Sequence, residues 1–159
     1  MDVPRNAGLP PTNGKTEATA HPAQRPPPEA SRHTLVELAS APGAARTARE
    51  AVDDLLADIK YCEQCRFDLA LVATELVTNA VEYGTPLETI RLELTLHAHE
   101  ANISVHNQGE GIDMANLRKS SPNRGRGLDL VAALAQRWII ESTPTSATVS
   151  ASIALSTLT

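Results

Sequence analysis

The apolar spacing changes period partway along this 159-residue chain, and the order of that change narrows the fold more than any other feature. Ala48, Val52, Leu55, Leu56 and Ile59 recur at helical spacing, so a helix is expected over residues 44–59 after the break at Pro42-Gly43. A second helix is expected over 67–83, with Leu69, Val72, Ala73, Leu76 and Ala80 as its core face and Gly84 at its C-terminal stop. Strict alternation follows. Ile90, Leu92, Leu94 and Leu96 interleave with Arg91, Glu93, Thr95 and His97, and Ala101, Ile103 and Val105 interleave with Asn102, Ser104 and His106. A short strand at 35–38 precedes the helices. A polar loop containing Pro122 (112–124), a helix (128–137) and strands at 138–141 and 149–155 complete the pattern. Segregated helices and strands of this kind specify an α+β, two-layer α/β sandwich: a mixed, mainly antiparallel sheet covered on one face by helices.

Composition bounds the rest. Hydrophobic residues make up 42% of the chain but only one Trp, two Tyr and one Phe are aromatic, so the core is expected to be built from Leu, Val, Ile and Ala. Seven of the eleven prolines lie within residues 1–28. Such a segment buries too little apolar surface to offset its ordering entropy, so 1–30 is expected to be a disordered tail and 31–159 one domain. A net charge of −5 argues against non-specific nucleic-acid binding. No apolar run reaches the roughly 20 residues that span a bilayer, which points to a cytoplasmic protein without a membrane partner. The only cysteines form Cys62-Glu-Gln-Cys65. A lone pair supplies half a zinc site at most, so incidental thiols are the leading expectation, with a redox or metal role as the alternative.

Four of the eight glycines fall in two pairs, Gly109-Glu-Gly111 and Gly125-Arg-Gly127. Glycines at loop-to-element junctions let backbone amides approach phosphates. Arg124-Gly125-Arg126-Gly127-Leu128 opens a helix, whose N-terminus carries unpaired N–H groups and partial positive charge, and two arginines add charge-assisted donors. The spacing is neither a P-loop nor a Rossmann fingerprint. On the second helix Glu75 and Asn79 lie about 40° apart on the flank of the apolar face, in a stripe shared with Asp68. Asn107 continues the inward face of Ala101, Ile103 and Val105, and a buried amide there must find a partner or cost about 1–3 kcal/mol. Each feature has an ordinary structural reading: a solvated helix edge, a conformational glycine, a turn-forming Asn.

Taken in order, the motifs resemble a known family. Glu75-Leu-Val-Thr-Asn79-Ala80-Val-Glu-Tyr-Gly84 is similar to the N box of the GHKL (Bergerat-fold) ATPases. Asn107-Gln-Gly109-Glu-Gly111-Ile112 resembles the G1 box, and Gly125-Arg-Gly127-Leu128-Asp-Leu-Val131 the G2 box. Ala-Gln-Arg-Trp138, the short inter-box loop and the Pro42-Gly-Ala-Ala-Arg46 opening resemble the anti-sigma-factor serine/threonine kinase branch, over about residues 33–155. The resemblance implies ATP and Mg²⁺ as cofactors. It implies that Asn79 coordinates Mg²⁺ and that Glu75 orients or deprotonates the attacking serine hydroxyl. Gly109 and Gly111 then close over the nucleotide, residues 112–124 form the lid, and Arg124, Gly125, Arg126, Gly127 and Leu128 cradle phosphates. The implied partners are a sigma factor or an anti-sigma-factor antagonist. Members of this size are commonly homodimers, and the first strand offers a pairing edge.

Two positions depart from the family pattern. Asn107 stands where the family reads adenine with an Asp. A charge-assisted bond is worth about 1.5–3 kcal/mol against about 0.5–1.5 for a neutral one, so ATP affinity is expected to fall roughly tenfold, or about 1.4 kcal/mol. Pro144-Thr-Ser-Ala-Thr148 replaces the glycine-rich turn, leaving Thr148 as the match for the family's nucleotide-binding Thr. Two other functions compete: a non-catalytic protein-binding switch module that binds nucleotide weakly or not at all, and a detached histidine-kinase catalytic domain, whose phosphoacceptor hairpin has no place before residue 42.

Overall fold

The computed structural model of the chain describes residues 32–86, 88–109 and 126–157. The proline-rich tail, the expected lid, Gly111, Arg124 and Gly125 lie outside them, as does the side chain of Arg126. The elements run β1 (Arg32–Ala39), α1 (Ala44–Leu55), α2 (Glu63–Tyr83), β2 (Thr89–Leu96), β3 (Glu100–Gln108), α3 (Arg126–Leu134), β4 (Arg137–Thr143) and β5 (Ser146–Ala154). The strands form one sheet in the order β1-β2-β3-β5-β4. Every pairing in it is antiparallel, so the sheet is more uniform than the mixed one expected.

Period-two alternation decides which face is covered. Ile90, Leu92, Leu94 and Leu96 of β2, with Ala101, Ile103 and Val105 of β3, point to the helices and are buried. They meet Leu69, Val72, Ala73, Leu76, Val77 and Ala80 of α2 and Ala48, Val52 and Leu55 of α1. Each fully buried Leu or Val contributes about 1.5–3 kcal/mol, and Leu69 and Val72 are both 0% exposed. The opposite face carries polar residues that pair across strands, such as Ser104 with Ser150 at 3.1 Å.

Several boundaries differ from those expected, each for a local reason. α1 stops at Leu55 rather than 59, because Asp58 takes a left-handed conformation (φ 64°) and two arginines satisfy the last carbonyls. Arg32 donates to Leu55 O (3.1 Å) and Ala57 O (2.6 Å), and Arg66 donates to Leu56 O (3.2 Å). α2 starts four residues earlier than the apolar stripe indicates, since Cys62 caps it, its Sγ accepting from the Cys65 N–H at 3.1 Å. The two cysteines are joined as a disulfide rather than free thiols. Among the described residues no cluster of His, Cys, Asp or Glu suits a metal ion, and no helix is long and apolar enough to cross a membrane. β1 is twice the expected length, with Leu35 exposed on the open face, and α3 begins at Arg126 instead of 128 and ends at Leu134.

Candidate nucleotide site

α2 brings the polar stripe to the site by its length. Leu69, Val72, Leu76 and Ala80 fix its inner face on the sheet, so Glu75 and Asn79 are held, partly exposed, on the flank toward α3. α3 is anchored by Leu128 (5% exposed) and Val131 (0%). That anchoring aims its first turn at α2. A Cβ placed on Gly127 would lie 2.5 Å from Glu75 Oε2 and 3.6 Å from Asn79 Nδ2. The missing side chain leaves the carboxylate, and the amide beside it, room next to the first turn of α3. The Leu128 side chain belongs to the core, which leaves only its backbone on the side of α2. Asp68, on the same stripe, accepts from Gln64 Nε2 at 2.7 Å within the first turns of α2.

The other wall forms where α2 ends against β3. Asn107 is 3% exposed, on the helix-facing side as its position in the alternation requires. Its Nδ2 donates to Gln108 O at 3.5 Å, the limit of hydrogen-bond length. Gly84 lies beside it: a Cβ there would sit 2.4 Å from Ala80 O and 3.3 Å from Asn107 Nδ2. Gly84 has extended backbone (φ −79°, ψ 166°), so the glycine that ends α2 is required by space and not by a left-handed turn. Gly109 has both requirements. Its φ is +143°, and a Cβ would come 2.9 Å from Thr85 N. The Thr85 N–H donates to Gln108 O (2.9 Å), and the Gly109 N–H donates to Thr145 O (2.8 Å). The site thus spans the last turns of α2, from Glu75 to Gly84, with α3 on one side and the end of β3 on the other.

Thr148 is not part of this assembly. It faces the open side of the sheet, where its hydroxyl meets His106 Nδ1 at 2.7 Å. One residue of register accounts for the difference: Asn107 pairs with Ala147, and Thr148 pairs with His106. The turn before it closes without glycine. The Thr143 and Ser146 hydroxyls bond at 2.9 Å and the Thr145 N–H donates to Thr143 Oγ1 at 3.3 Å, so hydroxyls close the turn. Thr145 O, the acceptor for Gly109, carried no sequence signal because a carbonyl is common to every residue.

Among the described residues, then, a helix-covered antiparallel sheet sets a carboxylate and an amide on α2 against the glycine-bearing first turn of α3. The family follows from direct comparison: residues 38–153 match the histidine kinase-like ATPase domain, and the chain belongs to that family. The RsbU and RsbW domains of a Mycobacterium tuberculosis protein share the fold with a TM-score of 0.59 at 22% identity, over 79% of this chain and 33% of that one. The histidine kinase domain of the Erythrobacter litoralis blue-light-activated histidine kinase does so with a TM-score of 0.50 at 16% identity, over 70% and 59% respectively. At such identities the likeness is one of fold, and this chain spans less than two thirds of either structure. No curated protein sequence matches the chain.

Proposed function

We propose that the chain is an ATP-dependent protein serine/threonine kinase of the anti-sigma type, a cytoplasmic transcription regulator that binds a sigma factor or phosphorylates an anti-sigma-factor antagonist. The observation that carries this reading is the approach of Glu75 and Asn79 to the start of α3 at Gly127. That donor set suits the cofactors the family implies: an amide oxygen and a carboxylate beside a helix N-terminus whose Cβ-free residue leaves phosphate room. Asn79 would hold Mg²⁺, which when bound neutralises charge on the phosphates. The Gly127 and Leu128 amides, with Arg124, Gly125 and Arg126, bind phosphate. Gly109 and Gly111 admit the nucleotide close to the backbone. Glu75 orients the serine hydroxyl and takes its proton as the oxygen attacks the terminal phosphorus, with ADP leaving. Catalysis on this arrangement is positioning and charge stabilisation, since the protein forms no bond to the phosphoryl group.

A second reading has its own support. Asn107 offers a neutral amide in a buried position, and its cross-strand neighbour is Ala147, so the purine end lacks the charged acceptor of the family pattern. That combination favours a protein-binding switch with weak or lost ATP binding. In either case β1 is an outer strand of the sheet, and a homodimer through its edge is the assembly we favour. Incubation with ATP-Mg²⁺ and a serine-bearing antagonist separates the readings. Acid-stable phosphoserine that is lost in Glu75→Ala supports the kinase. Absence of transfer supports the switch, and acid-labile phosphate supports histidine phosphorylation.

A further inference from the structure

We propose that Cys62 and Cys65 form a redox-active disulfide that exchanges with dithiols through Cys62, a site separate from the nucleotide pocket and independent of the kinase reading. The pair closes a loop with a sequence separation of 3, and so short a loop constrains the unfolded chain far less than a long one. The local fold does not depend on the sulfur–sulfur bond. The start of α2 is tied to the chain leaving β5 by backbone: Cys62 N–H donates to Ser156 O at 3.0 Å, and Tyr61 bridges Thr157.

Each sulfur also accepts an N–H bond able to stabilise negative charge on it. Cys62 Sγ accepts the Cys65 N–H (3.1 Å) at the positive end of α2, and Cys65 Sγ accepts the Ser156 N–H (3.4 Å). The reduced form is accommodated as well, because a Cys65 thiol gains an S–H positioned 4.0 Å from Ser156 O. Cys65 is buried and Cys62 only partly so, which makes Cys62 the sulfur open to attack. An incoming thiolate attacks Cys62 Sγ, the Cys62–Cys65 bond breaks, and Cys65 leaves as a thiolate and takes a proton. The second thiol of the reductant then attacks its own sulfur in the mixed disulfide and releases Cys62. The dithiol loses two electrons to become a disulfide, and the protein disulfide becomes two thiols. The chain has only two cysteines, so no other internal pairing competes.

The test is to equilibrate the oxidised full-length chain with dithiothreitol at graded reduced-to-oxidised ratios without denaturant, quench with acid, alkylate and map the labels by mass spectrometry. Both cysteines should label together, reversibly, with unchanged far-ultraviolet circular dichroism. A disulfide that resists dithiothreitol until denaturant is added, or a fold that collapses on reduction, overturns the proposal. Single variants locate the attacked sulfur, and Cys62→Ser retains a capping oxygen. A disulfide probe should modify Cys62 in Cys65→Ser at least about tenfold faster than Cys65 in Cys62→Ser. Equal rates, or the reverse order, would exclude Cys62 as the point of exchange.

Discussion

The carboxylate of Glu75 rests against the backbone of Gly127, close enough that a methyl group on the glycine would stand 2.5 Å from Oε2. This relationship joins α2 to the first turn of α3 and places the proposed proton acceptor where phosphate charge would be held. Because the obstructed atom is the end of a flexible side chain, the glycine matters more for geometry than for stability.

Gly127→Ala should therefore move Glu75 and leave the fold intact. Unfolding stability should change by no more than about 1 kcal/mol, since alanine gains helix propensity while Glu75 adopts another rotamer. The rate of phosphoryl transfer should fall about tenfold to a hundredfold, as expected for a displaced catalytic group. Thermal unfolding and single-turnover transfer, measured on the same preparation, check the two halves.

Asn107→Asp should trade stability for nucleotide affinity. A carboxylate in this buried position loses the contact with Gln108 O and faces that oxygen instead, at a cost of about 1–3 kcal/mol without nucleotide. ATP should bind about tenfold more tightly, because a charged acceptor replaces a neutral one. Chemical denaturation and titration calorimetry report the two effects separately.

Two glycines at the end of α2 should fail for different reasons. Gly84→Ala keeps an allowed backbone but drives a methyl group into Ala80 O, 2.4 Å away, and toward Asn107. It should cost about 1–3 kcal/mol as overpacking. Gly109→Ala adds torsional strain at φ +143° to a close approach to Thr85 N, and should cost more. Comparing the two midpoints in urea orders them.

Thr148→Ala should leave ATP binding unchanged and weaken the protein by about 0.5–1.5 kcal/mol, through loss of the bond to His106 on the open face. A fall in nucleotide affinity would mean that the open face of the sheet reaches the site after all.

How far the chain could be read from its residues depended on whether periodicity carried the information. The β2 and β3 alternations and the inward position of Asn107 were legible because a half-buried strand repeats every two residues. The flank holding Glu75 and Asn79 was legible for the same reason at helical period. Boundaries were not. Arg32 and Arg66 end α1 through contacts distant in sequence, and the Cys62 cap begins α2 in a stretch without an apolar stripe. The error at Thr148 was one of register. Matching it by proximity to the expected turn put it in the pocket, whereas pairing with β3 turns it to the other face. The reason for Gly84 was equally hidden, since only the packed structure shows Asn107 beside it.

The most direct test of the account is a calorimetric titration of the natural chain with ATP in the presence and absence of Mg²⁺. Saturable binding of one nucleotide per chain is expected, dependent on Mg²⁺ and weakened at least about tenfold in Asn79→Ala. No binding by the natural chain, with binding restored in Asn107→Asp, would contradict it and leave a switch module on an ATPase fold.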